Sequence, residues 1–267
     1  VSKAALGRLE KAPLAYVLAQ VRLLPVLDMA TYIPALHSAL RSIYPRYKAI
    51  PATVIQFGFS IGGEMPLGPI DRWEFASADN KKGIVLGQSS LVFHVTEYST
   101  YTEFQRDFEN VMRIVAEHVP SMYVDRVGIR YIDYIIPGDG LTPDDYIIDG
   151  IRCAPNLAIA TAPVFGFATT QFNMQEGSMV IRYYRKSGNP DLPPDMIELV
   201  IAPSEIMTIE VDEAIETAVL DTDRFMEVSF AFNVDTLLGL FMRMHDDLSN
   251  LFKEIVTELA VEKWSGK

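Results

Sequence analysis

Apolar and polar residues alternate with a period of two over most of this chain, and a period near 3.6 replaces that alternation in three places. The first strand is expected at 14–24, ending at Pro25. A helix follows at 31–44, with Asp28 or Thr31 as cap, Pro34 in its first turn, and Ile33, Leu36, Leu40 and Ile43 as its buried stripe before Pro45. Strands are then expected at 54–61 and 72–76, with a hairpin of 84–86 and 91–98 around Gly87 to Ser90. Phe104, Phe108, Val111, Met112, Val115 and Val119 predict a helix at 102–119, and a strand follows at 125–136. Beyond a boundary at 137–163, extended patterns recur at 164–174, 179–184, 196–201, 214–221 and 225–232. Leu237, Phe241, Met244, Leu248, Leu251, Phe252, Ile255 and Leu259 predict one closing helix over 234–264, roughly 45 Å long.

The fold class read from this order is α+β, mostly antiparallel sheet packed against helices, with a long C-terminal helix. Residues 1–137 and 138–267 form two halves, separate or joined in one domain. So long a helix either bends around its own domain or offers part of its stripe to a second chain, and the second option predicts a homo-oligomer, such as a homodimer, through that helix.

The strand at 125–136 departs from the usual division into one oily and one wet face. Arg126, Gly128, Arg130, Ile132, Tyr134 and Ile136 point one way, and Val127, Ile129, Tyr131, Asp133 and Ile135 the other. Charge enters both sides of a strand apolar enough to be central, and a buried charge requires a partner. Arg130 is therefore either tied to a carboxylate of this chain, which makes it architecture, or offered to a ligand carboxylate or phosphate.

Composition narrows the function classes. The 267 residues are 49% hydrophobic and 22% charged with a formal charge of -12, and the pI is near 4.8. Such a chain is repelled by nucleic acid and by anionic membranes, and neither is expected as a partner. No run is long and apolar enough for a membrane helix, and a single cysteine, Cys153, fits a reducing cytoplasm. Zinc spacings, phosphate loops and nucleophile elbows are absent from the sequence, so no metal and no cofactor is expected.

The remaining candidates are dispersed. Asp221 and Asp223 share a strand face and could serve as an acid–base pair, although Asp and Thr also build turns. His245 stands beside Asp246 and Asp247 on the last helix, but residues at i+1 and i+2 point away from it. The ligand-binding set read from the sequence is Arg130, Tyr131, Asp221, Asp223 and His245. Two functions compete for it: a non-enzymatic binding or interaction protein, and a hydrolase-like enzyme using the carboxylates of Asp221 and Asp223 with Arg130 and His245.

Several short motifs occur in a characteristic order. They are Ala12-Pro13-Leu14, Tyr44-Pro45, Asp71-Arg72-Trp73-Glu74-Phe75-Ala76-Ser77, Gly128-Ile129-Arg130-Tyr131-Ile132-Asp133, Leu220-Asp221-Thr222-Asp223 and Met244-His245-Asp246-Asp247. With Thr102-Glu103-Phe104 and Thr257-Glu258, this series resembles a sporadically distributed, uncharacterised prokaryotic family of similar length, without an assigned activity. Members of that family more often carry Asn at the position of Asp133. The resemblance implies an accessory or defence-linked component.

Overall fold

The computed structural model describes residues 9–50, 72–138, 140–154, 165–196, 199, 201 and 210–266. In chain order the elements are β1 (Leu14–Leu23), α1 (Met29–Leu40), β2 (Arg46–Ile50), β3 (Arg72–Ala76), β4 (Lys82–Gly87), β5 (Ser90–Val95), α2 (Tyr101–His118) and β6 (Tyr123–Ile135). After short 3-10 turns at Pro143–Tyr146 and Asp149–Ile151 come β7 (Phe165–Asn173), β8 (Ser178–Ser187), a further turn at Pro194–Met196, β9 (Glu216–Ala231), α3 (Val234–Ile255) and α4 (Glu258–Trp264). The nine strands form one sheet in the order β2-β3-β4-β5-β1-β6-β9-β8-β7, and every neighbouring pair is antiparallel. The α+β reading holds, and the sheet runs without a break through strands from both sides of residue 137.

The helices cover one face. Val17, Ala19 and Val21 of β1, Phe93 of β5 and Val127 and Ile129 of β6 meet the buried stripes of α1, α2 and α3 in the main core. A second cluster on the same face, with Ile135, Tyr183 and Leu220, is closed by α4 through Ala260, Val261 and Trp264. The opposite face carries a smaller apolar group, Tyr16, Leu18, Val92, Ile132 and Tyr134, under Met196 and Ile201.

Besides the close of α1 at Leu40, which leaves Ile43 exposed, and the unexpected edge strand β2, three expectations change. The closing helix is two helices: α3 ends at Ile255, and Val256 bridges to Ile147. The Thr257 side chain then accepts the Ala260 N–H to start α4. The chain thus bends over its own second cluster. The α3 stripe of Leu237, Leu240, Phe241, Met244 and Leu248 is buried within the chain, so it is not free to serve as a dimer seam.

Second, the two strands expected at 214–221 and 225–232 are one 16-residue strand, β9, with no turn at Asp221 to Arg224. These charged residues stay extended because each is met. Asp221 and Asp223 face Arg130 and Arg182, and Arg224 is bound by Asp247. Third, residues 194–196 form a 3-10 turn where a strand was expected to begin. The strand expected at 54–61 lies outside the described residues, as do residues 197, 198 and 200.

Candidate functional site

Alternation along β6 sends Arg130 and Tyr131 to opposite faces of the sheet, and the two sides have different characters. On the side away from the helices, the Arg130 guanidinium donates from Nε and Nη2 to Asp221 at 2.7 and 2.6 Å. It donates from Nη1 and Nη2 to Asp195 at 2.7 and 3.0 Å. Arg182 adds a 3.2 Å bond to Asp221 and stands 3.8 Å from Asp223. Burial pushes the Asp223 carboxyl up, against the pull of Arg130 and Arg182. This network ties the turn bearing Asp195 to the sheet. It satisfies Arg130 from within the chain, so the ligand-binding role expected for Arg130, Asp221 and Asp223 gives way to an architectural one.

Farther along the same face, His94 is buried and stacks on Tyr16 with ring centroids 5.2 Å apart. Burial, assisted by Arg72, lowers its pKa to about 3, and among the described residues neither ring nitrogen has a hydrogen-bond partner. It is a neutral core histidine.

On the helix-covered side lies a cavity of about 500 Å³. Its floor is Tyr131 and Asp133 of β6 with Thr222 of β9, and its roof is Tyr98, Ser99, Thr100 and Tyr101 at the start of α2. One wall is His245, Leu248, Ser249 and Phe252 of α3 with Lys253, and the mouth is bordered by Leu9, Glu10, Ala12, Pro13 and Leu14. Local rules make this arrangement. Positions i and i+2 of a strand share a face, which pairs Tyr131 with Asp133; positions i, i+3, i+4 and i+7 of a helix share a stripe, which aligns His245 with Phe252. The Thr100 side chain accepts the Glu103 N–H and fixes Tyr101 as the first residue of α2.

His245 is held firmly. Its Nδ1 is hydrogen-bonded to the Tyr131 hydroxyl at 2.7 Å, and its ring lies parallel to Tyr101 with centroids 3.9 Å apart. Burial pushes the imidazole below its ordinary pKa, with Lys253 adding to the effect and Asp246 opposing it. Burial likewise pushes the Tyr131 phenol well up, reinforced by Tyr98 and Tyr101. The pair is neutral on both sides near pH 7. The Tyr101 hydroxyl is buried without a hydrogen-bond partner among the described residues.

Asp133 is the unusual group. It is only 3% exposed and lines the cavity, yet among the described residues no hydrogen bond or ion pair reaches its carboxyl. Burial is the sole cause that lifts its pKa from 3.8 to about 7.

Of the five residues singled out from the sequence, the structure brings Tyr131 and His245 together at this cavity and leaves Arg130, Asp221 and Asp223 across the sheet from them. Tyr98, Tyr101 and Phe252 were not read as site residues. The two tyrosines bracketing a helix cap were the available signal, but aromatic residues at such spacing are as common in cores. Among the described residues no group of three or more His, Cys, Asp or Glu side chains could hold a metal ion, and no helix is long and apolar enough to cross a membrane. No protein-family model, no curated protein and no solved structure matches this chain.

Proposed function

We propose that this chain is a non-enzymatic cytoplasmic binding protein that holds a small molecule in the Asp133 cavity. One observation carries the reading: a buried carboxyl without a partner among the described residues faces an open, aromatic-lined space. An unanswered buried charge is costly, and proteins retain such costs mainly where function uses them. The cavity falls within the roughly 300–1,000 Å³ typical of small-ligand sites, and its few polar groups converge among apolar walls as such sites require. His245, committed to Tyr131 and stacked on Tyr101, suits a fixed wall better than a proton shuttle. The hydrolase alternative loses its geometry, because the sheet separates His245 from Arg130, Asp221 and Asp223, and catalytic groups must meet at hydrogen-bond range.

A thermal-shift screen of small metabolites tests the reading. At least one compound should raise the melting temperature of the wild-type chain, and a Ser249→Trp variant, which fills the cavity, should lose that response. A response preserved in Ser249→Trp would place the ligand elsewhere and overturn the proposal.

Self-association belongs to the same proposal, with the sheet edge at β7 replacing the closing helix as its seam. Among the described residues β7 pairs only with β8; it carries neither charge nor proline from Phe165 to Asn173, and Phe165 and Phe167 are 60% and 49% exposed. The other edge, β2, is guarded by Arg46 and Lys48. Two acidic copies can approach edge to edge at β7 without opposing like charges on that strand. Native mass spectrometry should report a homodimer for the wild-type chain and for Met242→Lys on α3, and a monomer for Phe167→Lys. A wild-type monomer, or a dimer surviving Phe167→Lys, would contradict it.

A further inference from the structure

We infer that the ligand of the Asp133 cavity carries a protonated amine, seated with its nitrogen at the Asp133 carboxyl and its apolar body among the tyrosine rings. The inference rests on the reading of this cavity as a binding site and narrows it to a chemical class.

Charge carries the argument. Among the described residues, the side chains that share the cavity with Asp133 and can titrate are Tyr98 and Tyr101 from the α2 end, Tyr131 from its own strand, His245 and Lys253 from α3, and Glu10 at the mouth. The tyrosines are held neutral by burial, and His245 is held neutral as well. Lys253, on the α3 wall, makes no ion pair or hydrogen bond with Asp133 among the described residues. Arg224, on the helix-covered face of β9, is occupied by Asp247 at 2.9 Å and by the carbonyls of Phe225 and Ser178 at 2.9 and 3.3 Å. Among the described residues the floor thus has a carboxyl and lacks a cation.

Each ligand class meets that floor differently. An anion would be repelled by ionised Asp133 or held by a single hydrogen bond to its protonated form. A neutral hydroxyl would leave the carboxyl protonated and gain only an ordinary hydrogen bond. An ammonium supplies the missing charge in a desolvated space, forms charge-assisted bonds, and can lie against the faces of Tyr98, Tyr101 and Tyr131. Thr222, also on the cavity floor, offers its hydroxyl to one of the remaining N–H groups. Seating an ammonium favours the ionised carboxyl, so Asp133 gives up its proton to solvent as the ligand enters at a pH below about 7.

Isothermal titration calorimetry with three matched probes on the full chain tests this: phenethylamine, phenethyl alcohol and hydrocinnamate, in buffers of different ionisation enthalpy at about pH 6. Phenethylamine should bind the wild-type chain with release of close to one proton, and should bind Asp133→Asn about tenfold more weakly or worse and without proton release. The alcohol and the carboxylate should bind more weakly than the amine. If either binds at least as tightly and the Ser249→Trp variant abolishes that binding, the amine assignment falls while the cavity remains a ligand site. If none of the three binds at millimolar concentration, or if binding is unchanged in Ser249→Trp, the amine assignment and the cavity reading fall together.

Discussion

Asp133→Asn should make the ligand-free protein more stable at about pH 8, by up to about 4 kcal/mol, because the asparagine removes an ionisable group that the fold does not accommodate. The folded pKa of Asp133 is raised from 3.8 to about 7. The unfolded chain therefore ionises this group between about pH 4 and pH 7 while the folded chain still holds the proton. A raised acid contributes no penalty below its unfolded pKa. The penalty grows as pH rises and is complete above about 7, where a displacement of this size corresponds to about 4 kcal/mol. For a chain of this length, each kcal/mol moves the melting temperature by roughly 2–4 °C, so the variant should melt visibly later.

His94 has the opposite sign. Its folded pKa is lowered from 6.5 to about 3. The stability it supports is present above about pH 6.5 and is lost as pH falls, because the unfolded chain takes up a proton that the buried ring refuses. In the wild-type chain the two slopes oppose each other between about pH 4 and pH 6.5 and largely cancel. In Asp133→Asn the slope that opposes His94 is removed, and stability should climb with pH more steeply across that window than in the wild-type chain. Urea unfolding at several pH values measures both effects. A variant less stable than wild type at high pH would mean that the carboxyl has a partner in the folded chain.

Arg130→Met should cost about 3–5 kcal/mol, the usual result of leaving one member of a buried ion pair unanswered. Asp221 is fully buried and loses its two short bonds from Arg130, whereas Asp195 on the other side is more than half exposed and can rehydrate. Arg182 keeps its 3.2 Å contact with Asp221 and should hold the loss toward the lower end of that range. Adding Asp221→Leu to Arg130→Met should recover much of the stability, since replacing both partners by apolar side chains removes the uncompensated charge. Neither change touches the helix-covered face, so probe binding at the cavity should survive in the double variant. Denaturant unfolding combined with the calorimetric titration separates these outcomes. Loss of ligand binding with stability intact would return Arg130 to the list of ligand contacts.

Most strand and helix positions could be read from the sequence because they follow from local periodicity; the edge strand β2, exposed at four of its five positions, was not. The face assignment of 125–136 is the clearest case, since counting by twos separates Arg130 from Tyr131 and Asp133 as the structure does. What could not be read was which charge would be answered. Arg130 finds Asp221, ninety-one positions away, across the β6–β9 register, and that pairing depends on strand order. Asp133 finds nothing among the described residues, and an absence of that kind has no sequence signature. Alternation was misleading at 221–224, where a charged cluster resembles a turn; its partners on β6, β8 and α3 keep β9 extended. The bend at Val256 was hidden in an unbroken apolar stripe, because the cap at Thr257 carries no glycine or proline to mark it.

A carboxyl-carbon NMR titration of the ligand-free wild-type chain, with Asp133 identified by the resonance missing from Asp133→Asn, tests the central claim most directly. An inflection near pH 7 is predicted, for a carboxyl desolvated and unpartnered at the cavity floor. An inflection at or below the ordinary aspartate value of 3.8 would show the carboxyl hydrated or already paired, and the cavity would lose the feature that makes it a binding site.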